Sequence, residues 1–326
     1  MIRELNDAGK YQKLMLVLSA LTFVSGMAYC LIGELVLPFA VAFCAALFIF
    51  EKPEKRILSF LIPLSVIAIA VIVGGWYSLV FIEFVLLALI LALSYRFGLS
   101  KGECAIYMSV TAFVFFVISL YLSAASEIGS FAPSDVAGYY RDAVNMLREY
   151  VIESFEASNN VSNQINGQIG TVITTETVVQ YFDTVVSLLV AIFAIAAFAI
   201  SGIAIKLFTA ISLRECKNGI LKSFAHFLPS KMLAYTYVAV SIVTAFLSLS
   251  GTFAIALINT SEILMAVFFY VGFRYASALS EMFARRTTFI FILAAAFLIA
   301  PGVAIQVISY LGAWFVISVH PTSEIK

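Results

Sequence analysis

A chain of 326 residues that is 63% hydrophobic and only 12% charged, with a mean hydropathy of +1.05, cannot be a water-soluble domain. Such domains are about half apolar and about a quarter charged, and much of their surface still faces solvent, so lipid must surround this one. Zero net charge gives no electrostatic footprint for nucleic acid.

In chain order, apolar runs long enough to count as spans are sought at about 20 residues each. The first, Leu14–Ile32, follows Arg3, Lys10 and Lys13 in the manner of a signal peptide, yet runs straight into a second, Leu35–Phe50. It therefore reads as an uncleaved first helix. Gly33-Glu34 forms the tight turn between the two, and Pro38 lies early in the second. Ile57–Val73 and Trp76–Tyr95 make another pair turning at Gly74-Gly75, and Cys104–Ser123 is a fifth span.

A polar stretch from about Glu127 to Thr177 interrupts the pattern. Ser134 is placed to cap a helix whose first turn holds Asp135. Val136, Tyr140, Ala143, Leu147, Tyr150, Val151 and Phe155 then recur at helical spacing, an amphipathic helix of about six turns. Ser158–Gly170 reads as a flexible linker, and its Asn160-Val161-Ser162 matches a common glycosylation triplet. Beyond it come Thr184–Ile205, Met232–Ser250 and Glu262–Ser280. Thr287–Val319 fits either one helix kinked at Pro301-Gly302 or a hairpin of two short helices. As one helix it would measure about 50 Å against a hydrocarbon core of about 30 Å, which favours the hairpin.

These runs define an all-α polytopic transmembrane bundle of about 8–10 spans with one external amphipathic helix. Residues 1–125 form a five-span region, 126–178 the external segment and 179–326 a C-terminal membrane region, within a single membrane domain. Alternating the spans from a cytoplasmic N-terminus puts sixteen of the 19 basic residues inside. They are Arg3, Lys10 and Lys13; Lys52, Lys55 and Arg56; Arg96 and Lys101; Lys206, Arg214, Lys217, Lys222 and Lys231; and Arg274, Arg285 and Arg286. The Lys206–Lys231 loop is expected to fix orientation and touch anionic headgroups. A bacterial plasma membrane is the expected location.

Ionisable residues in hydrocarbon cost a few kcal/mol and normally face the bundle interior. Glu83, within the fourth span, is the clearest case, as a ligand or ion site or as a glutamate that locks helices together. Glu34 in the first external turn, Asp183 opening the sixth span and Glu262 opening the eighth beside Asn259 and Thr260 are the other acids on that side. Together they suggest an acidic vestibule for cations, although acids are simply better tolerated outside than bases. Arg274 is positioned to snorkel or to pair within the bundle, and Gln306 and Gln180 to donate between helices. Ala42 with Ala46, and Ala296 with Ala300, offer small-residue contacts. The amphipathic helix could cover the outer span ends, gate a site or dock a partner.

Chemistry leaves little trace. Cys30, Cys44, Cys104 and Cys216 show no regular spacing, and two histidines, His226 and His320, are too few for a histidine-rich metal site. No metalloprotease, serine-hydrolase or nucleotide-binding pattern occurs, so an enzyme is not expected, nor any cofactor.

The hairpin carrying Leu37-Pro38-Phe39, the long insertion before a mid-chain span and Phe227-Leu228-Pro229 leading into the seventh helix resemble the YybS-like membrane proteins of Gram-positive bacteria. So do Tyr270-Val271-Gly272-Phe273 and the closing Tyr310-Leu311-Gly312-Ala313-Trp314. That family has no assigned function and is loosely grouped with the substrate-binding subunits of energy-coupling-factor transporters. The resemblance implies a small-molecule-binding role with a partner ATPase module and carries over no functional residue; the intramembrane acids themselves place Glu83, Asp183 and Glu34 near an outward-open pocket beneath the amphipathic helix. Apart from the resemblance, a non-transporting scaffold or envelope regulator working through protein partners fits the same residues.

Overall fold

A computed structural model describes residues 8–51, 56–165, 174–215, 228–246, 251–282 and 286–318. Among them there are twelve α-helices and no β-strand. Six helices or helical stretches are long and apolar enough to cross a bilayer, and four shorter apolar ones accompany them. The chain is an all-α, multi-helix membrane protein.

The helices group into two compact units, one of residues 1–186 and 196–222, the other of 187–195 and 223–326. In the first, α1 (Ala8–Ile32), α2 (Leu37–Phe50), α3 (Arg56–Gly74) and α4 (Glu83–Phe97) run alternately up and down. Polar bonds gather the start of α1, the end of α2, the start of α3 and the end of α4 at one end. Tyr11 donates to Glu51 Oε1 at 3.1 Å, Ser59 to Glu51 Oε2 at 3.2 Å, and Arg96 to the Phe48 carbonyl at 3.5 Å. Helix α2 is hydrophobic nearly all round and buried accordingly, with Leu37, Ala40, Cys44, Ala45, Ala46 and Leu47 fully enclosed.

The turn expected at Gly74-Gly75 is present, with Gly75 at φ +87°. Trp76–Ile82 then winds as a 3-10 helix before α4, so the fourth span is only partly α-helical. Helix α5 (Lys101–Ile128) opens with a capping box: Ser100 accepts from the Glu103 N–H, and Glu103 accepts from the Ser100 N–H.

The amphipathic helix expected outside the membrane, α6, spans Pro133–Ile165. Proline stands at its first position, where its missing N–H is not needed, and the Asp135 and Val136 amides bond back to the Ala132 carbonyl. The expected Ser134 cap is therefore replaced by Ala132. The helix also continues through Ser158–Ile165, so the first half of the expected linker is helical; residues 166–173 lie outside the described residues.

Further on, helices replace expected boundaries. Asp183 sits in a separate amphipathic helix, α7 (Thr175–Ser187), rather than at the head of the next span. Helix α8 (Leu189–Glu215) absorbs Lys206 and Arg214, which were read as loop. A helical stripe of Ser201, Ala204, Ile205, Phe208, Thr209 and Ser212 is buried, holding α8 in register past the polar lysine.

In the second unit, α9 (Lys231–Phe246), α10 (Gly251–Met282) and α12 (Pro301–Ser318) surround a core of Tyr237, Leu264, Phe268, Val271, Ala313 and Val316, while α11 (Arg286–Ile299) packs outside it against α10 and α12. Because α10 begins at Gly251, Glu262 lies well inside it and opens nothing. The Asn-Thr-Ser-Glu run resembled a boundary, but its side chains are accommodated within the helix.

The last apolar stretch is the hairpin. Phe269 meets Phe297 and Phe273 meets Phe289, so α11 runs antiparallel to α10. Met265 is bonded by Ser309 and Tyr275 stacks on Phe315, so α12 runs parallel to α10. The reversal takes one residue, Ala300, whose N–H closes α11 and whose carbonyl opens α12. Pro301 keeps Ala300 out of helical conformation and cannot donate backward.

Candidate functional site

The two ends of the α1–α4 group differ, and the end opposite Glu51 holds the clearest buried acid. Glu83 is 3% exposed. Its Oε2 accepts a hydrogen bond from the Tyr29 hydroxyl at 3.0 Å, joining the end of α1 to the start of α4. Phe81 and Phe84 close on the Tyr29 ring edge-to-face, at 5.3 and 6.1 Å. A phenol against a carboxyl inside an aromatic collar is a tie between helices. It excludes water from the pair and leaves the carboxyl one strong donor. Glu34, exposed in the turn after α1, is close enough to act electrostatically on both groups.

The remaining acids do not join this pair. Asp183 is exposed on α7 and forms an ion pair with Arg148 of α6, Nη2 to Oδ2 2.9 Å. Glu262 is half-buried on α10. The structure thus pairs Glu83 with Tyr29, leaves Glu34 in the exposed turn after α1, and gives Asp183 and Glu262 other surroundings. Arg274 donates to the Tyr270 hydroxyl one turn earlier on α10, at 3.2 Å, and Gln306 and Gln180 are exposed on their helices. Among the described residues no group of three His, Cys, Asp or Glu could hold a metal ion.

Two contacts between helices go beyond what the sequence marks. Asn259 of α10 inserts its carboxamide between α7 and α8: Oδ1 accepts from the Ala191 N–H at 2.8 Å, and Nδ2 donates to the Ser187 carbonyl at 2.6 Å. Those are the donor and acceptor of a single i→i−4 helical bond, which the side chain has opened without orphaning either group. The sequence named Asn259 only as a neighbour of Glu262. The second contact is where α10 crosses α12. A Cβ on Gly272 would overlap the Ile308 carbonyl oxygen, and one on Gly312 would overlap the Phe268 carbonyl oxygen and lie 2.6 Å from the Gly272 nitrogen. The backbones touch there, and Ser309 adds a bond to the Met265 carbonyl at 3.0 Å.

Helix α6 is firmly mounted. Val136 seats on Ala124 and Ala125 of α5, flanked by Tyr121, Tyr139 and Tyr140. Tyr140 donates to the Leu120 carbonyl at 2.7 Å, Tyr121 to the Phe131 carbonyl at 2.5 Å, and Tyr139 to Glu127 at 2.7 Å. The bond to Glu127 also holds the Tyr139 phenol above its ordinary pKa. The half-buried face follows Val136, Tyr140, Val144, Arg148, Val151 and Phe155. Met146, Leu147 and Tyr150, the last two on the apolar stripe expected from the sequence, are 71%, 53% and 67% exposed.

Compared with protein-family models, with curated proteins and with solved structures, the chain gives no match.

Proposed function

We propose that this chain is a non-catalytic scaffold of a bacterial plasma membrane, N-terminus inside, that holds α6 outside as a docking helix for a protein partner. Its likeness to the YybS-like family belongs to the same proposal. The observation that carries it is the apolar stripe Ala143, Met146, Leu147 and Tyr150, which stays exposed at i, i+3, i+4 and i+7 on a helix anchored at its start by three tyrosines. Five acids against two arginines border that stripe along Pro133–Ile165. Anionic lipid headgroups repel such a rim, whereas a protein surface with an apolar groove and basic edges complements it. A small-molecule-binding role with an ATPase partner draws its support from the family resemblance. Glu83 and Asp183, tied into separate pairs, add nothing to it.

A photo-crosslinking residue at Tyr150, in native membranes, tests the reading. A discrete protein adduct is expected, lost in Leu147→Asp and weakened in Glu149→Lys/Glu153→Lys. Adducts to lipid alone, or a protein adduct indifferent to both variants, would refute it.

A further inference from the structure

Within the first unit, α1, α2 and α8 leave a groove of about 410 Å³ between them. Leu14, Leu18 and Leu21 of α1, Phe39 and Phe43 of α2, and Ile211 of α8 are among its walls, and every lining side chain is hydrocarbon or aromatic. Water has no hydrogen-bond partner in such a space, so the groove favours an apolar occupant. All three helices are apolar, two of them long enough to span, and in a bilayer the mouth of the groove opens onto acyl chains.

Two lysines adjoin it. Lys13 precedes the wall residue Leu14 and Lys206 precedes Leu207, and both are exposed. Lys206 is the more telling, because it stands within the apolar run Leu189–Ser212 rather than in the expected loop. An ammonium in that position is costly unless its stem lies along apolar surface and its head reaches an anion.

We propose that this groove is a binding site for an anionic phospholipid, one acyl chain lying between α1, α2 and α8 and the phosphate meeting Lys206 and Lys13. The site goes beyond the scaffold reading and is independent of any external partner. It selects charge through the two lysines and chain through the walls, so each half can be removed alone.

The test is native mass spectrometry of the full-length, delipidated protein titrated with phosphatidylglycerol or with phosphatidylcholine. The unaltered chain should retain phosphatidylglycerol preferentially. Lys13→Gln and Lys206→Gln should each weaken that binding about fivefold and the pair more, leaving phosphatidylcholine unchanged. Ala210→Trp, at an exposed wall position, should fill the groove and weaken both lipids. Inorganic phosphate should not compete, since it brings no chain. Lys231→Gln, a change of equal charge elsewhere, should have no effect. Equal retention of both lipids by the unaltered protein, phosphatidylglycerol binding that survives both lysine changes and Ala210→Trp, or an equal loss in Lys231→Gln would overturn the site. Thermal unfolding of each variant separates a lost site from a lost fold, because none of these side chains is buried.

Discussion

The two units differ in the contact that leads their helix packing. In the first, α1 and α4 are joined by a buried hydrogen bond between Tyr29 and Glu83. In the second, α10 and α12 meet backbone to backbone at Gly272 and Gly312 with no side chain between them. Lipid tails are as apolar as leucine, so burying leucines does not drive helices together within a bilayer. What remains is polar bonding or very close van der Waals contact; the first unit leads with the polar tie, and the second adds the Ser309 and Asn259 bonds to its glycine crossing.

The contrast can be broken most severely at the glycines. Gly312→Leu places a branched side chain where backbone already stands, and helices cannot shift that far without abandoning the crossing. A loss of about 3 kcal/mol or more is expected, read as a collapse of the denaturation midpoint in detergent. Tyr29→Phe is the matching cut in the first unit. It removes one hydrogen bond and leaves a carboxyl without its donor, so about 1 kcal/mol should be lost, while Glu83→Gln, which still accepts from Tyr29, should lose less. A Glu83→Gln effect exceeding that of Tyr29→Phe would show that the carboxyl has work beyond the tie. Smallest of all should be Arg148→Ala. Its partner Asp183 is half exposed, so a few tenths of a kcal/mol, fading in high salt, is the expected change.

Legibility in the sequence followed the range of the interaction. Span positions, the turn at Gly74-Gly75 and the reversal at Pro301 were readable because hydropathy and backbone stereochemistry are local. Glu83 was visible as an acid among apolar neighbours, but Tyr29, fifty-four positions away, could not be picked out from the other tyrosines. Helix ends were misplaced wherever polarity was taken as a boundary, at Glu262, Asp183 and Lys206, since a helix satisfies its own backbone and can carry such residues onward. The glycine crossing is more instructive. Tyr270-Val271-Gly272-Phe273 and Tyr310-Leu311-Gly312-Ala313-Trp314 had each been noticed as sequence, yet only folding reveals that they are two halves of one contact.

The bond that Asn259 takes over has a bearing on how the chain is made. When α7 and α8 leave the ribosome, Asn259 has not been synthesised, and the Ser187 carbonyl and the Ala191 amide are left to each other or to water. Only when α10 arrives, sixty-eight residues after Ala191, can the carboxamide take up both groups. The joint between α7 and α8 is therefore a late acquisition, written into the membrane by a helix that comes afterwards.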